Sequence, residues 1–353
     1  MKGQSLRRGN YEYATTRVKA KKSSLLTKDN YPKLLMMDLN EIGRFMGETK
    51  YKVEMTELAA RYSGVDLIEL GVSKNLARTY REVISFCTGD LRDMVSTYLR
   101  RWDFWNIKTI LRGKYSGASL EEIQEDLVPA GNLNEESLNS LISLNTPREV
   151  LDALTAKGDM HIPEEILANF EKGGTLAPIE DYFDKFYYER LLAAVMPDTK
   201  PKRDFLTFIK REIDITNLRT LLKLKQANIP ADKIRTYLIK GGRDLDLAEL
   251  NRLSGLETFE QLIDELSKLP FYNEIKEGVE TAKQTGNLSE AMLALQHYLV
   301  SESEKFSHMY PLSVLPVIDF LIRKRIEVDN LRIIARGKAS GMQPDAIKKL
   351  LVM

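Results

Sequence analysis

This 353-residue sequence holds only one cysteine and three histidines, the side chains that most often bind zinc or carry thiol chemistry, and only two tryptophans. A lone Cys87 excludes an intramolecular disulfide framework and any multi-cysteine zinc site, which makes the cytosolic side of a membrane the default compartment. An excess of one charge is missing too. Lys and Arg number 52 against 51 Asp and Glu, a formal net charge of +1, and a phosphate-binding surface for nucleic acid usually leaves a basic surplus. The longest largely apolar run, Met309 to Ile322 (MYPLSVLPVIDFLI), contains Pro311, Pro316 and Asp319, and it is too short to span a bilayer. The N-terminal MKGQSLRRGNYEYATTRVKAKKSS is basic with no apolar stretch behind it, so no secretory signal is expected. Strand-like alternation of β-branched residues is scarce as well.

What is present is helical periodicity. Apolar residues recur at i, i+3, i+4 along most of the chain, and 43% apolar content is ample for a buried core. Val150, Leu151 and Leu154 share one face of a segment that opens with Thr146 as N-cap, Pro147 at the first helical position and Glu149 at the third, the pattern of a capping box. Glu121-Glu122 and Glu135-Glu136 suit helix N-termini, where carboxylates complement the dipole. Gly173-Gly174, Gly241-Gly242 and Gly131 read as helix stops. The expectation is an all-α chain with short connections.

A repeat organises it. Three segments share the pattern [DE]-x-x-N-[IL]-[KR]-x-[IL]-x-[RK]-x-K: Asp103 to Lys114 around Asn106, Asp214 to Lys225 around Asn217, and Glu327 to Lys338 around Asn330. Ile123, Ile234 and Ile347 stand at one common distance from their asparagines, and Leu127, Leu238 and Leu351 at another. Upstream, Leu133, Leu138, Leu141 and Leu144 match Leu245, Leu250, Leu253 and Leu256. The Thr146 helix has its counterpart at Thr258, and fainter traces fall at Leu26, Tyr31, Leu34 and Glu41-Ile42. The expected units are residues 1–128 (a leader plus the first repeat), 129–241 and 242–353.

On a helical wheel the motif acid, the asparagine and the apolar residue four places later share one sector. Asp103, Asn106, Asp214, Asn217, Glu327 and Asn330 are therefore expected beside the core, bonded to a neighbouring helix end or loop, because an unsatisfied buried polar group costs about 1–3 kcal/mol. The bases two and six places after each asparagine fall on the opposite face. Lys108, Arg112, Arg219, Lys223, Arg332 and Arg336 are expected to point to solvent and form the candidate interface.

No catalytic constellation emerges. His161, His297 and His308 lack metal-site spacing, although the last two would share a face of an unbroken helix. Gly113-Lys114 and Gly337-Lys338 lack the preceding glycine and following Ser/Thr of a Walker A loop. Cys87 in Val83-Ile84-Ser85-Phe86-Cys87 reads as a small buried hydrophobe. Trp102 and Trp105, beside Arg100 and Arg101, read as core anchors flanked by bases. No catalytic residue, cofactor or metal site is assigned.

The tripled unit, the leader Tyr11-Glu12-Tyr13-Ala14-Thr15-Thr16-Arg17-Val18-Lys19-Ala20 followed by Leu25-Leu26-Thr27, and the D-x-x-N-[IL]-[KR] motif together resemble the C subunit of the archaeal A-type (A/V-type) ATP synthase, counterpart of the d subunit of the vacuolar ATPase. The similarity covers essentially the whole chain. It departs at Leu224, where the other copies have glycine, and a longer helix is expected there. The resemblance implies a funnel-like, pseudo-threefold, non-catalytic component. It would be present once per rotary motor, between the central stalk and the membrane ring of proteolipid subunits, peripheral and on the cytoplasmic side. A general helical-repeat scaffold for other protein partners is the alternative from the binding-module class, and an enzyme ranks behind both.

Overall fold

A computed structural model describes residues 8–156 and 160–353; the first seven residues of the basic N-terminal leader lie outside the described ones. Among these residues the chain forms twenty α-helices and no strand. The first third contains α1 (Tyr11–Lys22), α2 (Asn30–Met36), α3 (Leu39–Gly47), α4 (Lys52–Leu58), α5 (Gly64–Phe86), α6 (Gly89–Leu99), α7 (Arg101–Ser116) and α8 (Leu120–Glu125). The second contains α9 (Glu135–Ile142), α10 (Pro147–Ala156), α11 (Glu164–Gly173), α12 (Ala177–Ala194), α13 (Lys200–Gln226) and α14 (Ala231–Tyr237). The last contains α15 (Leu247–Ser254), α16 (Phe259–Leu266), α17 (Tyr272–Thr285), α18 (Ser289–Met309), α19 (Leu315–Ala339) and α20 (Pro344–Lys348). Among the described residues no helix is long and apolar enough to cross a membrane.

Local chemistry sets the short helices. The Asp38 carboxylate accepts from Glu41 N and the Glu41 carboxylate from Asp38 N, a reciprocal cap on α3. Thr258 and Gln261 cap α16 the same way. At α10, Thr146 Oγ1 accepts from Glu149 N at 3.2 Å, but the Glu149 carboxylate reaches one residue further back, to Asn145 N at 2.9 Å. Such a cap contributes about 1 kcal/mol.

The long helices carry the packing. α5 lies along α19, α18 along both α17 and α19, and α1 against α19. Thr15 Oγ1 donates to Pro311 O at 3.0 Å, and Lys22 Nζ to Asp319 at 2.8 Å, so α1 straps the α18–α19 connection. Two apolar cores result. One is built on residues 215–298, from the second half of α13 through α18. The other runs from Tyr11 to Leu351 and joins α1 to α13 with α19 and α20. The last long helix therefore completes a core that the first helices begin.

Tyr31, Tyr51, Tyr80, Tyr98, Tyr187 and Tyr188 are buried, and burial is the first cause that raises each phenol above its ordinary pKa, Tyr31 to about 12. A group whose folded pKa lies above its unfolded value contributes stability that is complete below the unfolded pKa and lost as pH climbs through the folded one. The fold is therefore expected to hold to about pH 10, the ordinary phenol pKa, and to unfold cooperatively between there and about 12. Exposed tyrosines such as Tyr13 and Tyr115 add absorbance of their own, so the test is the phenolate signal of the six buried rings, which should appear together with the loss of helical circular dichroism. Complete phenolate formation with helicity intact would contradict this.

Candidate functional site

The three motif asparagines do one thing three times. Asn106 Nδ2 donates to Val128 O at 2.8 Å and its Oδ1 accepts from Val128 N at 2.8 Å. Asn217 holds Ile239 by the same pair, 2.8 and 2.8 Å. Asn330 holds Val352 at 2.7 and 3.0 Å. In each case the partner lies 22 residues downstream. The carboxamide serves both backbone groups of a buried residue that has left helical geometry, which answers the requirement that such groups be paired.

The motif acids grip what comes next. Asp103 accepts from Asn132 N at 3.1 Å and Leu133 N at 2.8 Å. Asp214 accepts from Arg243 N, Asp244 N and Leu245 N at 2.9 to 3.1 Å, although burial outweighs these donors and raises its pKa. Glu327 turns instead to the beginning of the chain, accepting from Leu26 N at 2.5 Å and Tyr51 Oη at 2.6 Å. Leu26, Leu133 and Leu245 are the positions that open the three aligned segments. The buried Lys324 ammonium, 2.7 Å from Glu327 Oε1 and 2.8 Å from Tyr51 Oη, completes that third cluster.

Several sequence expectations need correction. Gly131 and Gly242 do not stop helices, since α8 ends at Glu125 and α14 at Tyr237. They clear space for the acids, because a Cβ would stand 2.1 Å from Asp103 Oδ1 or 2.2 Å from Asp214 Oδ1. Leu224 does not extend its helix: α13 ends at Gln226, nine residues after Asn217, as α19 ends at Ala339, nine after Asn330. The glycine it replaces, Gly113 or Gly337, admits Ile123 or Ile347 at van der Waals range rather than ending a helix. Trp102 is buried, but Trp105 is 44% exposed and is no core anchor.

The bases were expected to face solvent: Arg112, Lys223 and Arg336 are exposed, Lys108, Arg219 and Arg332 are half-buried, and four of the six also tie long helices together. Lys108 donates to Asp184 at 2.6 Å and Arg112 to Glu180 at 2.6 and 2.7 Å, fastening α7 to α12. Arg332 donates to Ser73 at 2.7 Å and Arg336 to both oxygens of Glu69, fastening α19 to α5. The Glu69 and Glu180 bonds raise the pKa of Arg336 and Arg112. Lys223 is exposed. Arg219 is half-buried, and desolvation lowers its pKa, followed by the neighbouring charge of Arg325. A role missed in the sequence belongs to the final lysine of the motif: Lys225 donates to Ser254 O at 3.0 Å and Lys338 to Leu35 O at 2.7 Å.

These helices enclose an open concavity of about 1070 Å³, lined by α5, α7, α8 and α19 with Gln296 from α18. Its wall carries the carboxylates Asp66, Glu69, Glu122, Glu125, Asp126 and Asp329 against the guanidinium groups of Arg112, Arg332 and Arg336. Burial, then the charge of Glu69, raises the Asp126 pKa. The cup is thus acidic on balance, and within it the Tyr62 hydroxyl donates to Glu125 at 2.6 Å. All three histidines are exposed. Cys87 is fully buried, and burial pushes its thiol up to about 12. Among the described residues no group of His, Cys, Asp and Glu could hold a metal ion.

Comparison with known proteins gives the family. The family described as ATP synthase (C/AC39) subunit matches residues 14–350. The chain is 40% identical to the C subunit of the A-type ATP synthase of Methanococcoides burtonii, over 98% of this chain and 94% of that protein. It is 41% identical to that of Methanosarcina acetivorans, over 98% and 93%, and 33% identical to that of Haloferax volcanii, over 98% of each. Similarity along nearly the whole length leads to one conclusion: this chain belongs to the ATP synthase C/AC39 family.

Proposed function

We propose that the chain is a non-catalytic central-stalk component of a rotary A/V-type ATP synthase, a socket that couples the stalk to the membrane ring of proteolipid subunits during ATP-linked proton or sodium transport. In this reading it acts once per complex, on the cytoplasmic side, and its three repeats (residues 1–128, 129–241 and 242–353) stand around one axis as a funnel. The observation that carries the proposal is the open cup of about 1070 Å³ between α5, α7, α8 and α19, wide enough to seat a helical end. Its acidic balance favours a basic segment. Torque also needs a stiff body, and the clamps and ion pairs between long helices supply stiffness. The bond from Glu327 to Leu26, at 2.5 Å, supports closure around an axis over the open row that a general scaffold would form.

Removing this chain from the complex is expected to leave ATP hydrolysis by the soluble head intact while uncoupling it from ion movement. Affinity capture from native membranes should bring both stalk and ring proteins. A head that needed this chain to hydrolyse ATP, or capture of neither partner, would overturn the proposal.

A further inference from the structure

A second, much smaller cavity, about 60 Å³, lies beside the cup, with Gln296 lining both. It sits where α5, α6, α7, α13, α18 and α19 converge, and its lining includes Tyr98, Arg101, Glu212, Arg219, Gln296 and Arg325. Its hydrogen-bonding groups do not balance. Arg101 consumes the one carboxylate, donating to Glu212 Oε1 at 2.7 Å and Oε2 at 3.2 Å. Arg325, exposed over about half of its side chain, lies 3.6 Å from Asp329 with its guanidinium 5.9 Å from the Trp102 ring centre. Arg219 Nε is buried with no hydrogen-bond partner, and so is the hydroxyl of Tyr98, a residue only 2% exposed.

The three motif copies show what is missing. At the position two after the asparagine, Lys108 meets Asp184 and Arg332 meets Ser73. Asp184 on α12 and Ser73 on α5 have Gln296 as their counterpart on α18, judged by their common spacing of 111 and 112 residues. Arg219 therefore faces a carboxamide where Lys108 has an acid, while a second guanidinium, Arg325, lowers its pKa further. Glu212 and Asp329 offset part of the Arg219 charge, but its partnerless Nε beside an unpaired buried hydroxyl is costly unless an acceptor arrives. Both unpaired atoms can donate, and guanidinium groups match oxyanions in geometry as well as charge.

We propose that this cavity binds a small inorganic oxyanion of the phosphate or sulfate class, held by Arg219, Arg325 and the Tyr98 hydroxyl with the Gln296 carboxamide beside it. The bound anion joins α13 to α19 and supplies the charge that Asp184 supplies to Lys108. The inference stands apart from the rotary role.

The test is thermal unfolding of the full chain in sodium phosphate against sodium chloride at matched ionic strength and pH. At roughly a hundredfold excess over Kd, phosphate should raise Tm by about 5 °C. Arg219→Gln should abolish that rise, and Lys223→Gln, exposed on the same helix, should keep it. An equal rise in Arg219→Gln, or no phosphate effect on the native chain, would overturn the site. Should Arg219→Gln fail to fold, Tyr98→Phe keeps the ring and removes only the hydroxyl. Calorimetric titration with phosphate should then show Kd raised several-fold, and an unchanged Kd would count against the proposal.

Discussion

Replacing Glu327 by alanine is expected to destabilise the fold by about 4 kcal/mol, because removing one partner of a buried ion pair typically costs about 3–5 kcal/mol. Lys324 is 3% exposed, and its ammonium donates to Glu327 and Tyr51, with the charge of Glu54 further off. Without the carboxylate the charge is stranded, and the Leu26 N–H loses its acceptor as well. Urea unfolding measures the loss, read as a lower midpoint at unchanged slope. Replacing both charges, Glu327→Leu with Lys324→Met, should cost distinctly less than Glu327→Ala alone, since the penalty comes from the orphaned charge rather than from the missing attraction. A single variant within about 1 kcal/mol of the native chain would show that Lys324 finds other solvation and that this cluster does not hold the chain's two ends together.

The second large effect is expected at Asn217. Asn217→Leu keeps the branched shape, though in a larger side chain, but leaves the N–H and C=O of Ile239 buried and unpaired, at about 1–3 kcal/mol each after relaxation, so about 3 kcal/mol is predicted. Ile239 is 4% exposed, and water cannot readily replace the lost bonds. Lys223→Ala, six residues along the same helix and exposed, should stay within about 0.5 kcal/mol. Hydrogen exchange gives a second measure: the Ile239 amide should lose its protection while amides in the middle of α13 keep theirs. Retained protection would mean that Asn217 does not secure the segment.

The sequence made the asparagine clamps legible because they are local in register. A constant spacing from Asn106, Asn217 and Asn330 to an apolar pair downstream is visible before any coordinates, and the Val128, Ile239 and Val352 partners fall beside it. Burial of the acids was legible from the wheel for the same reason. The partners of the bases were not. Asp184 and Glu180 lie 76 and 68 residues from Lys108 and Arg112, and Glu69 lies 267 residues from Arg336. No periodicity links residues on separate helices at such distances, so the wheel gave the outward direction, which Arg112, Lys223 and Arg336 keep, but not the partners. Gly131 and Gly242 misled differently: glycine signals either a turn or a close approach, and only the position of the Asp103 and Asp214 carboxylates distinguishes them. The final motif lysine was visible throughout the repeat, but its acceptors, Ser254 O and Leu35 O, are bare carbonyls that no sequence pattern marks.

The shared core of α1, α5 and α19 has a consequence for how the chain is made. Translation delivers the N-terminal helices first, yet Tyr80 Oη donates to Leu321 O at 2.6 Å and Tyr51 to Glu327, contacts 241 and 276 residues apart. While the ribosome is still working, α1 to α5 must wait with apolar faces uncovered, whereas the core of residues 215–298 can assemble from contiguous chain. Closing so long a loop carries the entropy that makes non-local contacts form late. The order of assembly thus runs against the order of synthesis. The first helices to emerge are among the last to be sealed, and the interval before α19 arrives is when the nascent chain is most exposed to aggregation or to a chaperone.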